Sequence, residues 1–521
     1  MKAFADLLER LLFSPGRNTK IALLKTYFAT RPDPERGLAL AAIAGALDFP
    51  GAKSATLRGL AEARTDPELF ALSYDFVGDL AETVALIWPQ PIADDPPALE
   101  TVIAALRGAK RDAIAQLIAG WLDVCDASTR IALIKFLTGG LRVGASLRLA
   151  KLALAEMAAI DVNVIEETWH GLEPPYTELF AWLEHRAPRP DAAEKPVFRP
   201  VMLAHPIEAK DLAALDWSAH RAEWKWDGIR VQLVATPTAK RLYSRTADEI
   251  SAPFPDIIAA MDFHAVLDGE LLVVRDGEVA TFSDLQQRLN RKTVSPAMLR
   301  DYPAAVRLYD ILFDGDEDLR GKTFDERRRR LEAFYARVQP ARMDLSPLIE
   351  FAAHDELALR REGARAAAIE GLMIKRADSP YLAGRPKGYW WKWKRDPLSI
   401  DAVLMYAQRG HGKRSSYYSD YTFGVWNEAG ELVPVGKAYS GYTDTELAFL
   451  DKWIRNNTTA RFGPVREVEK KIVFEVGFDA AQISNRHKSG VALRFPRILR
   501  LRTDKPAEEA DRLDVVKKFI V

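Results

Sequence analysis

The segment of this chain best equipped for chemistry is Glu223-Trp224-Lys225-Trp226-Asp227-Gly228-Ile229-Arg230, a lysine between two tryptophans with an acid and a glycine close behind. Lys-x-Asp-Gly alone also occurs where the lysine is a solvated cation beside a turn. Here the aromatic neighbours, and the alternating apolar run that follows, set the lysine at a strand-to-turn junction that a merely exposed lysine rarely needs. A nucleophilic lysine must be neutral, and with an ordinary pKa near 10.4 only about one in a thousand is neutral at roughly pH 7.4. Burial against rings, nearby cations or a metal ion would raise that fraction. The amine can then attack phosphorus and form a phosphoramidate.

The elements that must hold Lys225 are β-rich. From about Val201 short strand-like runs appear: 229–235, 264–274 and 306–313, with Asp276-Gly277 as a hairpin signal. Helical stretches intervene at 282–289 and 324–338, and the four arginines at 327–330 read as the wet face of the second. Before this region, residues 1 to about 185 read as helical, with apolar spacing of three and four in Phe4-Leu7-Leu8-Leu11 and Ile131-Leu133-Ile134-Phe136-Leu137. The stretch Arg186–Pro200 holds four prolines and no apolar period, which makes it a linker candidate. A second break falls near Asp396-Pro397. Beyond it the sequence alternates like the strands of a small barrel. The expected organisation is therefore a multidomain α+β chain: an all-α domain over 1–190, an α+β domain over 197–397 and a β-barrel over 398–521.

Composition agrees with a folded, water-facing protein: 48% of residues are hydrophobic and 28% charged. At 521 residues two to four domains are expected. No apolar run of about 18 residues occurs, so a membrane span is not expected. The N-terminal MKAFADLLERLLF is broken by Asp6, Glu9 and Arg10, a pattern of an amphipathic helix rather than a secretory signal, and a cytoplasmic location follows. The single Cys125 excludes an intramolecular disulfide and a multi-cysteine zinc site. Net charge is zero, yet Arg461–Lys505 carries eleven Lys/Arg against five Asp/Glu, a local +6 that is either a solvated surface or an anion-binding one.

Further short motifs follow Lys225 in order: Tyr243-Ser244-Arg245, Leu267-Asp268-Gly269-Glu270, Leu308-Tyr309-Asp310-Ile311-Leu312, Glu370-Gly371-Leu372-Met373-Ile374-Lys375, Trp391-Lys392-Trp393-Lys394 and Arg502-Thr503-Asp504-Lys505. Each alone is a common turn or strand edge. Together and in this order, they resemble the ATP-dependent DNA ligases of the lysine nucleotidyltransferase superfamily. The resemblance implies that Lys225 carries AMP and that Arg245 contacts the nucleotide and the nick phosphate. It implies that Glu270 binds ribose and, with Glu370, a metal ion, and that Tyr309 stacks on adenine where phenylalanine is commoner. Lys392 and Lys394 would grip the α-phosphate, and Arg502, Asp504 and Lys505 would orient the pyrophosphate leaving group. Glu223 and Arg230 join the nucleotide-binding set, Glu223 from the strand face it shares with Lys225. Many relatives place an arginine six residues before Lys392, but Pro386 stands there, so Arg385 or Lys387 would substitute.

The physical demands of adenylyl transfer fit these residue types. A multiply charged phosphate calls for fixed cations, here Lys375, Lys392, Lys394 and Arg245, and for a divalent metal such as Mg²⁺ or Mn²⁺ on the hard oxygens of Glu270 and Glu370. The middle domain would be ATP-grasp-like and the C-terminal one an OB-fold that clamps DNA. In the helical domain, Leu137-Thr138-Gly139-Gly140-Leu141-Arg142-Val143-Gly144 resembles the glycine-rich hairpin of the ligase DNA-binding domain, with Gly140 and Gly144 letting backbone approach phosphates and Arg142 reaching phosphate or minor groove. A helix cap followed by a turn would also account for those glycines. The resemblance thus implies an ATP-dependent ligase sealing nicked duplex DNA as a monomer, in repair, recombination or replication. A GTP-using capping enzyme, an RNA ligase and a catalytically inert DNA clamp are the rival readings. An NAD-dependent ligase would need a four-cysteine zinc module that one cysteine cannot build.

Overall fold

The computed structural model describes residues 1–91, 95–190, 195–289, 291, 293–364, 368–410, 416–485 and 487–520. The chain divides into two compact units, Met1–Arg360 with Ala367–Trp393, and Arg361–Ala366 with Lys394–Val521.

Among the described residues the first unit opens with twelve α-helices, from Lys2–Phe13 to Thr177–Leu183. The spacing that predicts the first helix also sets its buried stripe, because Phe4, Leu7, Leu8 and Leu11 all face the core. Helix Ala127–Thr138 starts where Asp126 accepts the Thr129 N–H, and stops at Gly139, whose φ of 71° suits the left-handed cap. Its Phe136 packs edge-on against Phe4, 6.2 Å between ring centres. Of the candidate linker Arg186–Pro200, residues 191–194 lie outside the described residues. Its later part is buried, with Val197 and Phe198 in contact with solvent over 0% and 4% of their surface. The ring of His170 lies 4.6 Å from that of Tyr243, and the Tyr243 hydroxyl donates to the Pro196 carbonyl at 2.6 Å. Helical segment and sheets thus meet around Tyr243.

Two sheets follow in the same unit. One has five strands in the order His205–Pro206, Trp390–Lys394, Ile369–Arg376, His220–Trp226, Leu348–Ile349. The other has Lys240–Ser244, Ile229–Ala235, Ala265–Arg275, Ala304–Asp314 and Glu317–Asp318 in line, with two short strands beside them. The chain leaves the first sheet at Trp226 and enters the second at Ile229, so Asp227-Gly228 is the crossing. The hairpin expected at Asp276-Gly277 is present: φ is 51° and 84°, and Arg275 pairs with Glu278.

Helix Phe324–Val338 corrects one expectation. Arg327 and Arg328 are not on its wet face; they are exposed to 0% and 7%. The buried positions are Phe324, Arg327, Arg328, Leu331 and Phe334, the three-and-four spacing of a core-facing stripe. The adjacent Arg329 is exposed, and Arg330 reaches Asp314 and Glu317. Helical periodicity, not charge, sorts the run.

In the second unit the long strand Leu398–Arg409 organises the rest. Along one edge residues 398–403 pair with Val473–Phe478 and residues 406–408 with Val465–Val468, while the other edge takes Tyr418–Trp426. Helix Asp444–Asn456 begins with a capping box between Thr443 and Glu446. Inward residues Ile400, Leu404, Phe423 and Phe474 build this unit's own core. Among the described residues no helix is long and apolar enough to cross a membrane, and Cys125 is buried and forms no disulfide.

Candidate active site

Lys225 lies near the end of strand His220–Trp226, across from Gly371 of strand Ile369–Arg376. The ladder is irregular between Ile369 and Gly371, and this bulge turns Glu370 toward the lysine. The Lys225 ammonium donates to Glu370 Oε2, and the two side chains keep 23% and 19% of their surface in solvent. Glu270 comes from the other sheet, opposite Arg230 in register. Burial pushes the Glu270 carboxyl up to about 8; the charges of Lys225 and Arg230 oppose the rise, and Glu370 and Asp227 add to it.

Gly228, at the crossing, packs directly against strand Ala265–Arg275. A Cβ there would stand 2.5 Å from the Leu271 carbonyl oxygen and 2.9 Å from Glu270 Cγ. The glycine of the lysine motif is therefore required by close approach of backbone, and that approach sets Glu270 beside Lys225.

Two residues before Lys225, Glu223 is 2% exposed and lies on the same side of the strand. Its carboxylate is 2.6 Å from the Lys375 ammonium and 3.5 Å from Arg328. Lys375 pairs in register with Arg221, so it meets Glu223 diagonally across the ladder. Its ammonium also lies 5.0, 4.8 and 4.7 Å from the ring centres of Tyr309, Phe324 and Trp390. Lys375, expected to supply fixed positive charge to the α-phosphate, is paired with Glu223 inside an aromatic box.

Arg230 is similarly engaged. Its guanidinium donates to the Met202 carbonyl at 2.6 Å, to Asp268 at 2.6 Å and to the Tyr381 hydroxyl at 2.9 Å, and lies 5.9 Å from the Tyr309 ring centre. Asp268, in the motif that supplies Glu270, is fully buried. Behind Tyr309, Asp310 takes a two-pronged ion pair from Arg327 at 2.8 and 3.0 Å. The strand that carries the aromatic is thus anchored from the helix behind it.

The other predicted residues lie elsewhere in the chain. Lys392 and Lys394 alternate with the buried Trp391 and Trp393 on the strand next to Ile369–Arg376, and Lys394 also pairs with Asp479 at 3.6 Å. Arg245 is exposed in the turn after Lys240–Ser244, and both Arg385 and Lys387 are exposed, Arg385 beside Gly384, which bridges to Met202. Arg502, Asp504 and Lys505 form a cluster of their own in the second unit. Arg502 donates to Asp504 at 2.9 Å, and both Arg502 and Lys505 reach Asp401, at 2.7 and 2.8 Å.

The glycine-rich loop of the helical region presents Arg142 to solvent with φ of 29°, while Val143 beside it is a buried plug. Lys20 donates to the Val143 carbonyl at 2.7 Å, and Gly144, with φ of 66°, leaves room for that ammonium. Sequence motifs do not single out Lys20, Arg328, Tyr381 or Asp401. Only Arg328 carries a usable signal, its place in the helical stripe.

Among the described residues no three His, Cys, Asp or Glu side chains gather as a complete metal cage. The cleft offers a divalent cation two half-buried carboxylates, Glu270 and Glu370. That fits a hydrated ion which keeps several waters and takes its other ligands from phosphate.

Comparisons with known proteins agree with this geometry. Residues 201–394 match the family described as "ATP dependent DNA ligase domain", and residues 414–505 match "ATP dependent DNA ligase C terminal region". A probable DNA ligase of Koribacter versatilis (strain Ellin345) is 34% identical over an alignment covering 99% of this chain and 95% of that protein. A DNA ligase of Methanoculleus marisnigri is 33% identical, covering 73% of this chain and 69% of its own. Among solved structures, Pmar-Lig_PreS3 has a similar fold, with a TM-score of 0.60 and 16% identity over 96% of this chain and 99% of that one.

Proposed function

The chain belongs to the ATP-dependent DNA ligase family, and on that premise we propose that Lys225 is its AMP carrier, with Glu270 and Glu370 as the carboxylates that hold a divalent cation. The observation that carries this reading is the convergence of Lys225, Glu370 and Glu270 from two sheets at the Gly228 crossing.

Lys225 first gives up a proton to solvent water and breaks its contact with Glu370. Its Nζ then attacks the α-phosphorus of ATP: the N–P bond forms and the bond to the pyrophosphate oxygen breaks, with pyrophosphate taking the electron pair. Glu223, kept in place by Lys375 and Arg328, faces the adenine edge, and Tyr309 stacks on the base. Lys392 and Lys394 neutralise the α-phosphate, and Arg502, Asp504 and Lys505 hold the departing pyrophosphate in line. AMP then passes from Lys225 to a 5′-phosphate at a nick in duplex DNA, and the 3′-hydroxyl displaces it to close the backbone. A bound Mg²⁺ or Mn²⁺ would lower the charge repulsion met by the attacking amine. The helical region, through Arg142 and the loop around Gly140 and Gly144, supplies phosphate contacts on the duplex. The working form is a monomer.

Incubation with α-labelled ATP and, separately, α-labelled GTP tests the assignment. The full chain is expected to acquire label from ATP alone, and Lys225→Ala to acquire none from either. Normal labelling of the alanine variant would refute the nucleophile, and labelling from GTP would favour a capping activity.

A further inference from the structure

The cluster in the second unit contains a residue outside every recognised motif. Asp401 lies near the start of strand Leu398–Arg409, about a hundred residues before the Arg-x-Asp-Lys segment it touches. One of its oxygens, Oδ2, accepts from Arg502 Nη1 at 2.7 Å and from Lys505 Nζ at 2.8 Å. Its side chain is 12% exposed, and Oδ1 is buried without a hydrogen-bond partner. The acid is itself fixed from the main chain: Asp401 N–H donates to Asp511 at 2.8 Å, and Asp511 N–H returns a bond to the Asp401 carbonyl at 2.9 Å.

Strand pairing explains how so distant a residue arrives there. Asp401 is opposite Glu475, Glu475 is opposite Arg500, and the Arg502 N–H donates to the Val473 carbonyl. Strand Val473–Phe478 therefore separates Asp401 from the strand that runs into Arg502. Side chains on one face of such a ladder reach across it.

Two cations drawn to one carboxylate oxygen are held near each other despite their mutual repulsion. Arg502 and Lys505 keep 18% and 21% of their side chains exposed, so the pair stays available to a further anion. A flexible lysine and arginine on a strand end would otherwise have to be gathered at the moment of reaction, at an entropic cost.

We propose that Asp401 is a positioning residue for the first chemical step, one that assembles Arg502 and Lys505 into a ready clamp for the pyrophosphate of ATP. The inference rests on the reading of Arg502 and Lys505 as leaving-group orienters. Asp401 touches neither nucleotide nor DNA in this role. It acts through the two cations, and its effect is confined to steps in which pyrophosphate is bound or released.

The test uses the full chain and three measurements: the rate of covalent AMP transfer from ATP, the pyrophosphate concentration needed to discharge the adenylylated enzyme, and the sealing of a pre-adenylylated nick. Asp401→Asn should slow AMP transfer by about tenfold or more and raise the pyrophosphate requirement, while sealing stays within about twofold of wild type. Asp401→Glu, which keeps the charge, should recover part of the first step. Lys505→Ala is run alongside, and the double variant should lose less than the product of the two single losses, because Asp401 acts partly through Lys505 and partly through Arg502. If Lys505→Ala slows AMP transfer and sealing alike, the leaving-group reading falls and this inference with it. If Lys505→Ala is selective for AMP transfer, the inference alone is overturned by either of two results. These are an Asp401→Asn variant with a wild-type pyrophosphate requirement, and one that loses sealing to the same degree, which includes a variant that fails to fold.

Discussion

Replacing Arg327 with methionine removes the cation from an ion pair of the first unit in which both side chains are 0% exposed. Four hydrogen bonds go with it: two to Asp310 at 2.8 and 3.0 Å, one to the Lys322 carbonyl at 2.7 Å and one to the Ser379 carbonyl at 3.0 Å. Methionine fills most of the volume, so cavity formation is a minor term. The main loss is that the Asp310 carboxylate stays buried with, among the described residues, the Ile311 N–H as its remaining hydrogen-bond donor. Breaking one partner of a buried pair costs about 3–5 kcal/mol, and two orphaned carbonyls put this site at the upper end of that range. Equilibrium urea unfolding followed by tryptophan fluorescence reads the change from midpoint and slope. The companion variant Asp310→Leu with Arg327→Met takes out both charges, and it should recover most of the loss. A single variant that costs less than about 1 kcal/mol, or a double variant no better than the single, would refute the account of Arg327 as a structural anchor behind Tyr309.

Two other outcomes follow from the geometry. Burial and the nearby Lys151 hold the His170 imidazole down at about 4, so the unfolded chain binds a proton there that the folded chain does not between about pH 6.5 and 4. The neutral ring's contribution is complete above the unfolded value and is lost as pH falls toward 4, at most about 3 kcal/mol. His170→Phe should flatten the stability profile over that window, and parallel profiles for variant and wild type would remove His170 as the cause. Arg142→Ala should weaken nick binding and reduce the salt slope by about one while AMP labelling is unchanged. An unaltered slope in affinity measured against salt would mean that Arg142 reaches no phosphate.

Motif order alone makes the chemistry legible. Lys225, Glu270 and Glu370 are types that few other roles would require together, and the hairpin at Asp276-Gly277 and the helix over 324–338 follow from turn chemistry and period. What the sequence hides is partnership. That Lys375 pairs with Glu223 follows from antiparallel register, and register is not written in local spacing. Charge alone assigns the arginine run to solvent, whereas its three-and-four spacing already assigns Arg327 and Arg328 to the buried stripe. Asp401 cannot be found from its neighbours in the chain, because its meaning comes from residues about a hundred positions away.

The crossing at Asp227-Gly228 has a consequence for how this cleft can vary. One strand of each sheet is joined to the other by two residues, and the second of them has no space for a Cβ. Lys225 and Glu270 therefore cannot drift apart by small adjustments in a loop, since no loop lies between their sheets at this point. Inserted residues, which a surface connection would absorb, would here change the distance between nucleophile and acid directly. Diversity in such a chain is accordingly channelled to its periphery. Exposed turns away from the crossing can lengthen while the join between the sheets stays as it is.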